Sequence, residues 1–198
     1  MQNTSWSNVE RAIANLKSAH VLQPKKLYAL PEPKLAELIR PAGYFNVKAR
    51  RLRSFLRVLV EEYEGSLNHL FAGDTPMVRH RLLAINGIGP ETADSMLLYA
   101  GGHHRFVIDA YTRRIFQRHG WRGGKPEMRN AKSEKDGPFS YHALQTLCES
   151  ALNQKEGVAQ LDYWRDYHAQ LVMIGKCYCR PREPRCEECP LERLLLAD

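Results

Sequence analysis

Three observations predict an all-α fold for this chain of 198 residues. Apolar residues recur at three- and four-residue spacing along most of the length, the period of a helix with one buried face. Runs that alternate apolar and polar residues, as half-buried strands do, are nearly absent. Helix punctuation separates the periodic stretches, with Ser, Thr or Asp ahead of them and Gly or Pro behind.

Each element follows from its own residues. Ser7-Asn8-Val9-Glu10 has capping-box spacing and predicts a helix with Val9, Ile13 and Leu16 on one face. Pro31 and Pro33 break the chain before a short helix that ends near Pro41 and Gly43. Residues 46–64 form the clearest helix, because Ala49, Leu52, Leu56, Leu59 and Tyr63 share a face and Gly65 stops it. Its other face carries Lys48, Arg50, Arg51, Arg53 and Arg57, most of them expected to be simply solvated. Thr75-Pro76 supplies an N-cap and first turn for a helix leading to Gly87. Gly89-Pro90 opens the next helix, which stops at Gly101-Gly102. In "FVIDA" (106–110), Asp109 is placed to cap a helix that runs through Arg118 and closes at Gly120. Residues 121–138, rich in Gly, Pro and charge, read as a surface loop between lobes. Helices near 139–153 and 159–174 lead to a cysteine-bearing tail, and two lobes, 1–104 and 105–198, are expected.

The formal charge of +7 and a pI near 9.2 point to a polyanionic partner, either nucleic acid or an anionic membrane face. No apolar run approaches the roughly 18 residues of a membrane span. The opening "MQNTSWSNVE" has neither the basic nor the apolar region of a secretory signal, so a cytoplasmic location is expected. Disulfides are disfavoured there, yet four of the five cysteines (Cys177, Cys179, Cys186 and Cys189) crowd the final stretch. Such crowding points to metal.

The segment "LAINGIGPETADSMLL" predicts two helices joined by a very short turn, Gly87-Ile88-Gly89. The glycines permit backbone angles and close approach that a Cβ forbids, and Ile88 can plug the helix pair. The N–H groups at the start of the second helix, with the positive end of its dipole, suit a phosphate oxygen. Such a contact reads backbone and not base sequence. On these residues alone, an ordinary tight connection between antiparallel helices serves equally well.

Their surroundings add to this. "LLAINGIGPETADSMLLYA" followed by "FVIDAYTRRIFQRHG" resembles the endonuclease III branch of the helix-hairpin-helix (HhH-GPD) DNA glycosylases. The resemblance continues in "AGYFNVKARRL", in "QNTSW" and in "GKCYCRPREPRCEECPL". It implies two helical lobes with the active site in the cleft between them, an iron–sulfur-type loop at the C-terminus, and damaged duplex DNA as the substrate of a monomer near the nucleoid. It also implies Gly87, Ile88, Gly89 and Thr92 as DNA contacts and Gln2 as a probe filling the gap left by a flipped nucleotide. The family carries further helical sequence before "QNTSW", so an N-terminally incomplete first lobe is expected.

By the same resemblance the essential aspartate is Asp109. Cleaving an N-glycosidic bond builds positive charge on the sugar, and a carboxylate beside C1′ stabilises it and orients water. Bifunctional relatives hold a lysine in the slot of Glu91; it attacks C1′ and forms a Schiff base. A carboxylate cannot, so base removal without strand cleavage is expected. Glu in this slot resembles the 3-methyladenine glycosylase branch, whose cationic purines stack on aromatics. Trp6, Tyr44 and Phe45 are candidates for that pocket, with core packing as the alternative for each. The competing readings are a bifunctional lyase, a hairpin protein that holds DNA without catalysis, and a protein whose functional centre is its cluster.

The family's cluster spacing is C-x6-C-x2-C-x5-C. Cys179, Cys186 and Cys189 match its first three positions, the fourth falls on Leu195, and Cys177 is the nearby substitute. A [4Fe-4S] cluster is expected, with zinc or no metal as alternatives. Cys148 falls in a helical pattern and is expected to be buried without a function.

Overall fold

The computed structural model describes residues 4–123, 137–153 and 160–195. It is helical, with no strand among the described residues. In chain order the helices are α1 (Trp6–Ser18), α2 (Pro24–Ala29), α3 (Glu32–Leu38), α4 (Phe45–Glu61), α5 (Leu67–Leu70), α6 (Thr75–Ala84), α7 (Pro90–Met96), α8 (Ala110–Arg118), α9 (Tyr141–Asn153) and α10 (Gln160–Cys177). None described is long and apolar enough to cross a membrane.

The chain divides into two compact units, Met1–Pro90 and Glu91–Asp198, upstream of the 104/105 boundary expected from sequence. Asp94 on α7 supplies the reason. Its buried carboxylate accepts hydrogen bonds from Tyr141 Oη and Gln145 Nε2 of α9, both at 2.8 Å, and faces Arg105 Nε at 3.7 Å. An ionised group without water is held only where such donors surround it, so α7 is tied to the second unit.

In the first unit, Ala12 and Leu16 of α1, Leu27, Leu35, Ala36 and Ile39, and Ala49 and Leu56 of α4 make the core. Two caps differ from expectation by a residue or two. Ser5, not Ser7, caps α1, its Oγ accepting from Asn8 N–H at 3.4 Å. Asp74, not Thr75, caps α6, its Oδ1 accepting from Met77 N–H at 2.8 Å. A carboxylate also answers the helix dipole, which a threonine hydroxyl does not. The short helices α2 and α5 have no counterpart in the sequence reading, because one turn displays no period. On α4, Arg53 donates to the carbonyls of Tyr28 and Leu30, and Lys48 Nζ donates to Ala42 O at 2.5 Å. These two cations brace the fold and are exceptions to the solvated face expected of most of the five.

In the second unit, the apolar run Phe106-Val107-Ile108 is buried with Ile115, Leu144, Trp164 and Leu171. Glu149 of α9 holds its start, accepting from Phe106 N–H at 2.9 Å and pairing with Arg105 at 3.3 Å. Helices α8 and α10 lie side by side in the same direction. A Cβ at Gly175 would stand 2.6 Å from Cβ of Tyr111, so glycine permits the approach. Arg114 of α8 then donates to Gly175 O at 2.9 Å and to Cys179 O at 2.6 Å. Of the expected 121–138 loop, residues 124–136 lie outside the described residues; Gly123 N–H meets Pro138 O at 3.0 Å.

Candidate active site

Asp109 caps α8 as its sequence position predicts, with Oδ1 accepting from Thr112 N–H at 2.7 Å. That bond satisfies an N–H left unpaired at the start of the helix. The other oxygen, Oδ2, lies 3.8 Å from Nε2 of His168 on α10. His168 is buried, and burial outweighs the pull of Asp109 to lower its pKa, so the imidazole is neutral. Its Nδ1 lies 2.7 Å from the hydroxyl of Tyr99.

Tyr99 reaches α10 because α7 does not end regularly. Residues Leu97–Gly101 form a π turn, and Gly102, with φ +73°, closes it. The Leu98 carbonyl accepts from Arg165 Nε at 2.8 Å, so the loosened turn is pinned to α10. Burial, and then the Asp109 charge, raise the Tyr99 pKa and keep its proton in place.

Glu91, near the start of α7, approaches the same carboxylate. One side of it is open to solvent, but partial burial, followed by the negative charge of Asp109, raises its pKa. Arg113 opposes the shift more weakly. The two carboxyl groups thus lie within electrostatic reach of each other, in different environments.

The profile of the HhH-GPD superfamily of base excision DNA repair proteins matches residues 1–138. The chain belongs to this superfamily. A Methanocaldococcus jannaschii protein named as a DNA repair glycosylase is 40% identical over 198 residues, covering 99% of this chain and 81% of that one. The Helicobacter pylori 3-methyladenine DNA glycosylase MagIII, solved with 1,N6-ethenoadenine, is 27% identical with a TM-score of 0.66, over 88% of this chain and 80% of that one. A non-covalent endonuclease III–DNA complex shares the fold, with 22% identity and a TM-score of 0.68 over 97% of this chain and 76% of that one.

The helix-hairpin-helix element that names the superfamily is the turn between α6 and α7. Gly87 has φ +90°, and a Cβ there would stand 2.4 Å from Cγ of Arg51. Gly89 has open space where its Cβ would be, so packing within the chain places no demand for glycine there. Ile85, not Ile88, is the fully buried aliphatic; Ile88 is half-buried, as is Thr92.

The expected base-pocket aromatics fall in the first unit. Trp6 is exposed, its Nε1 donating to Glu10 at 2.8 Å. Tyr44 is 70% exposed at the left-handed N-cap of α4. Phe45 packs against the core beneath Arg40. Gln2 lies outside the described residues.

In the C-terminal cysteine segment, Cys179, Cys186 and Cys189 line one small cavity with Leu195, Glu192 and Arg118. Arg118 donates to Cys179 Sγ at 3.1 Å. Cys177, the last residue of α10, is not among the lining residues. Among the described residues no three His, Cys, Asp or Glu groups are drawn together as a ready metal site. The donor types suit three corners of an iron–sulfur cluster; Leu195 has no atom for the fourth. Cys148 is buried as expected, its thiol pushed up to about 12 by burial.

His168 and Tyr99 were not singled out by sequence. Trp164, His168 and Leu171 form a buried stripe at four- and three-residue spacing on α10, and a titratable group in that stripe was the available signal.

Proposed function

We propose that this protein is a monofunctional DNA glycosylase that hydrolyses the N-glycosidic bond of a damaged purine turned out of duplex DNA, with alkylated purines as its substrate class. The observation that carries the reading is the carboxylate pair. Asp109 is anchored by one oxygen at the start of α8, and the group that shares its site, Glu91, is an acid and not an amine. As the bond to the base breaks, the Asp109 carboxylate faces the developing positive charge on the sugar and orients water toward C1′. Glu91, with its raised pKa, is suited to hold a proton beside a departing neutral base. A positively charged alkylated purine leaves without that proton. The family membership supports the glycosylase reading, and the similarity to MagIII supports this substrate class. Gly87, Ile88, Gly89 and Thr92 are proposed to meet DNA phosphates, Gln2 to probe the duplex, and Trp6, Tyr44 and Phe45 to stack on the extruded base.

The cysteine loop is proposed to hold a [4Fe-4S] cluster on Cys179, Cys186 and Cys189, with the fourth corner left to a ligand other than Leu195. Its contribution would be structural, bracing a loop whose Lys176, Arg180, Arg182 and Arg185 can meet phosphates.

The deciding experiment incubates the protein with duplexes bearing an alkylated, a deaminated or an oxidised base, with and without borohydride. Release of the alkylated purine is expected, with no trapped complex and with strand breaks only after alkali. Efficient trapping would show instead a lyase that uses an amine from elsewhere in the chain.

A further inference from the structure

We infer that Tyr99, His168 and Asp109 form a hydrogen-bonded relay in which His168 is a positioning residue, holding the second carboxylate oxygen of Asp109 through Nε2–H. The inference rests on the reading of Asp109 as the catalytic carboxylate.

The Tyr99 hydroxyl has one proton and two acceptors in reach, His168 Nδ1 at 2.7 Å and Arg165 O at 3.3 Å. The shorter contact takes the proton. Nδ1 is then an acceptor, and a neutral imidazole must carry its own proton on Nε2. That nitrogen is buried, has no hydrogen-bond partner, and stands 3.8 Å from Asp109 Oδ2. The opposite tautomer would set the lone pair of this buried nitrogen against a carboxylate oxygen and leave the nitrogen unsatisfied.

Thr112 N–H holds Oδ1 with a single hydrogen bond. A second donor, on Oδ2, fixes the plane of the carboxylate. Contacts of this kind are often long in a free enzyme, and closing this one needs about 1 Å. The surrounding groups do not compete for Nε2. Arg165, on the same helix, is engaged by Leu98 O and Asp162, and the rings of Phe106 and Tyr99 stand edge-on to the imidazole. His168 therefore acts on the reaction only through Asp109.

The two ring nitrogens can be replaced separately, since a glutamine amide overlays Nε2 and an asparagine amide overlays Nδ1. On a duplex carrying a methylated purine, His168→Gln is expected to keep the single-turnover rate within about threefold. His168→Asn and Tyr99→Phe should lose about 10- to 100-fold, the effect of one hydrogen bond to a charged group, with duplex affinity unchanged. Equal rates for His168→Gln and His168→Asn, or a wild-type rate for Tyr99→Phe, would overturn the relay. Nitrogen-15 NMR of the imidazole in the DNA-free protein tests it independently of any activity. A single Nε2–H tautomer is expected, with its Nε2 signal displaced in Asp109→Asn and its tautomer mixed in Tyr99→Phe. An Nδ1–H tautomer in the unaltered protein overturns the relay even if base release is observed. If no base is released while the NMR result holds, the proposed function fails and the relay stands.

Discussion

Gly87 and Arg51 pack so closely that a β-carbon on the glycine would fall 2.4 Å from Cγ of the arginine and 2.9 Å from its Cβ and Cδ. The aliphatic stem of Arg51 thus lies across the hairpin turn. The arginine braces the turn whose backbone is proposed to meet DNA.

Gly87→Ala therefore has two costs, the left-handed backbone and the displacement of that stem. Together they are expected to destabilise the protein by about 1–3 kcal/mol, read from denaturant unfolding. Gly89→Ala meets open space and should unfold at the wild-type midpoint. A bulky residue at Gly89 should instead lower affinity for every duplex alike, because it would exclude a phosphate; a sequence-dependent loss would count against that contact.

Asp109→Asn keeps an N-cap acceptor for Thr112 N–H and removes the negative charge. Base release is expected to fall by about a thousandfold, with duplex affinity within a few-fold of wild type. Unchanged turnover would remove Asp109 from the mechanism.

Glu91 predicts a dependence on pH that differs between lesions. Its pKa is raised, so the protonated form persists to higher pH than for a free glutamate and is lost as pH rises through the shifted value. Release of a neutral purine that needs a proton should decline across that rise. Release of a cationic methylated purine should not. Glu91→Gln, which cannot deliver a proton, should abolish the difference, and identical pH profiles for both lesions would deny Glu91 the acid role.

Aerobically purified protein should be yellow-brown, with iron and sulfide in near-equal amounts and a broad absorption band at the blue edge of the visible. Cys186→Ser should bleach it, since it removes one of three thiols lining the cavity. Leu195→Cys should strengthen the band by adding the missing corner. Colourless protein carrying stoichiometric zinc would assign the loop to a structural metal instead.

The sequence by itself determined the all-helical class, the cap at Asp109 and the glycine-bounded hairpin, because these depend on residues within a turn or two of each other. Apolar spacing dictates which face of α4 is buried, and a carboxylate three residues before an N–H dictates a cap, whatever lies beyond. Only the tertiary structure decided what meets Asp109 from afar. His168 is 59 positions away along the chain, and its approach depends on a glycine that lets α10 lie against α8. Tyr99 arrives through a π turn that helical periodicity does not predict, because the irregular turn is held by Arg165 of another helix. The placement of the unit boundary before Asp94 has the same origin. A buried carboxylate goes where its donors are, and those donors come from residues that no local pattern connects to it.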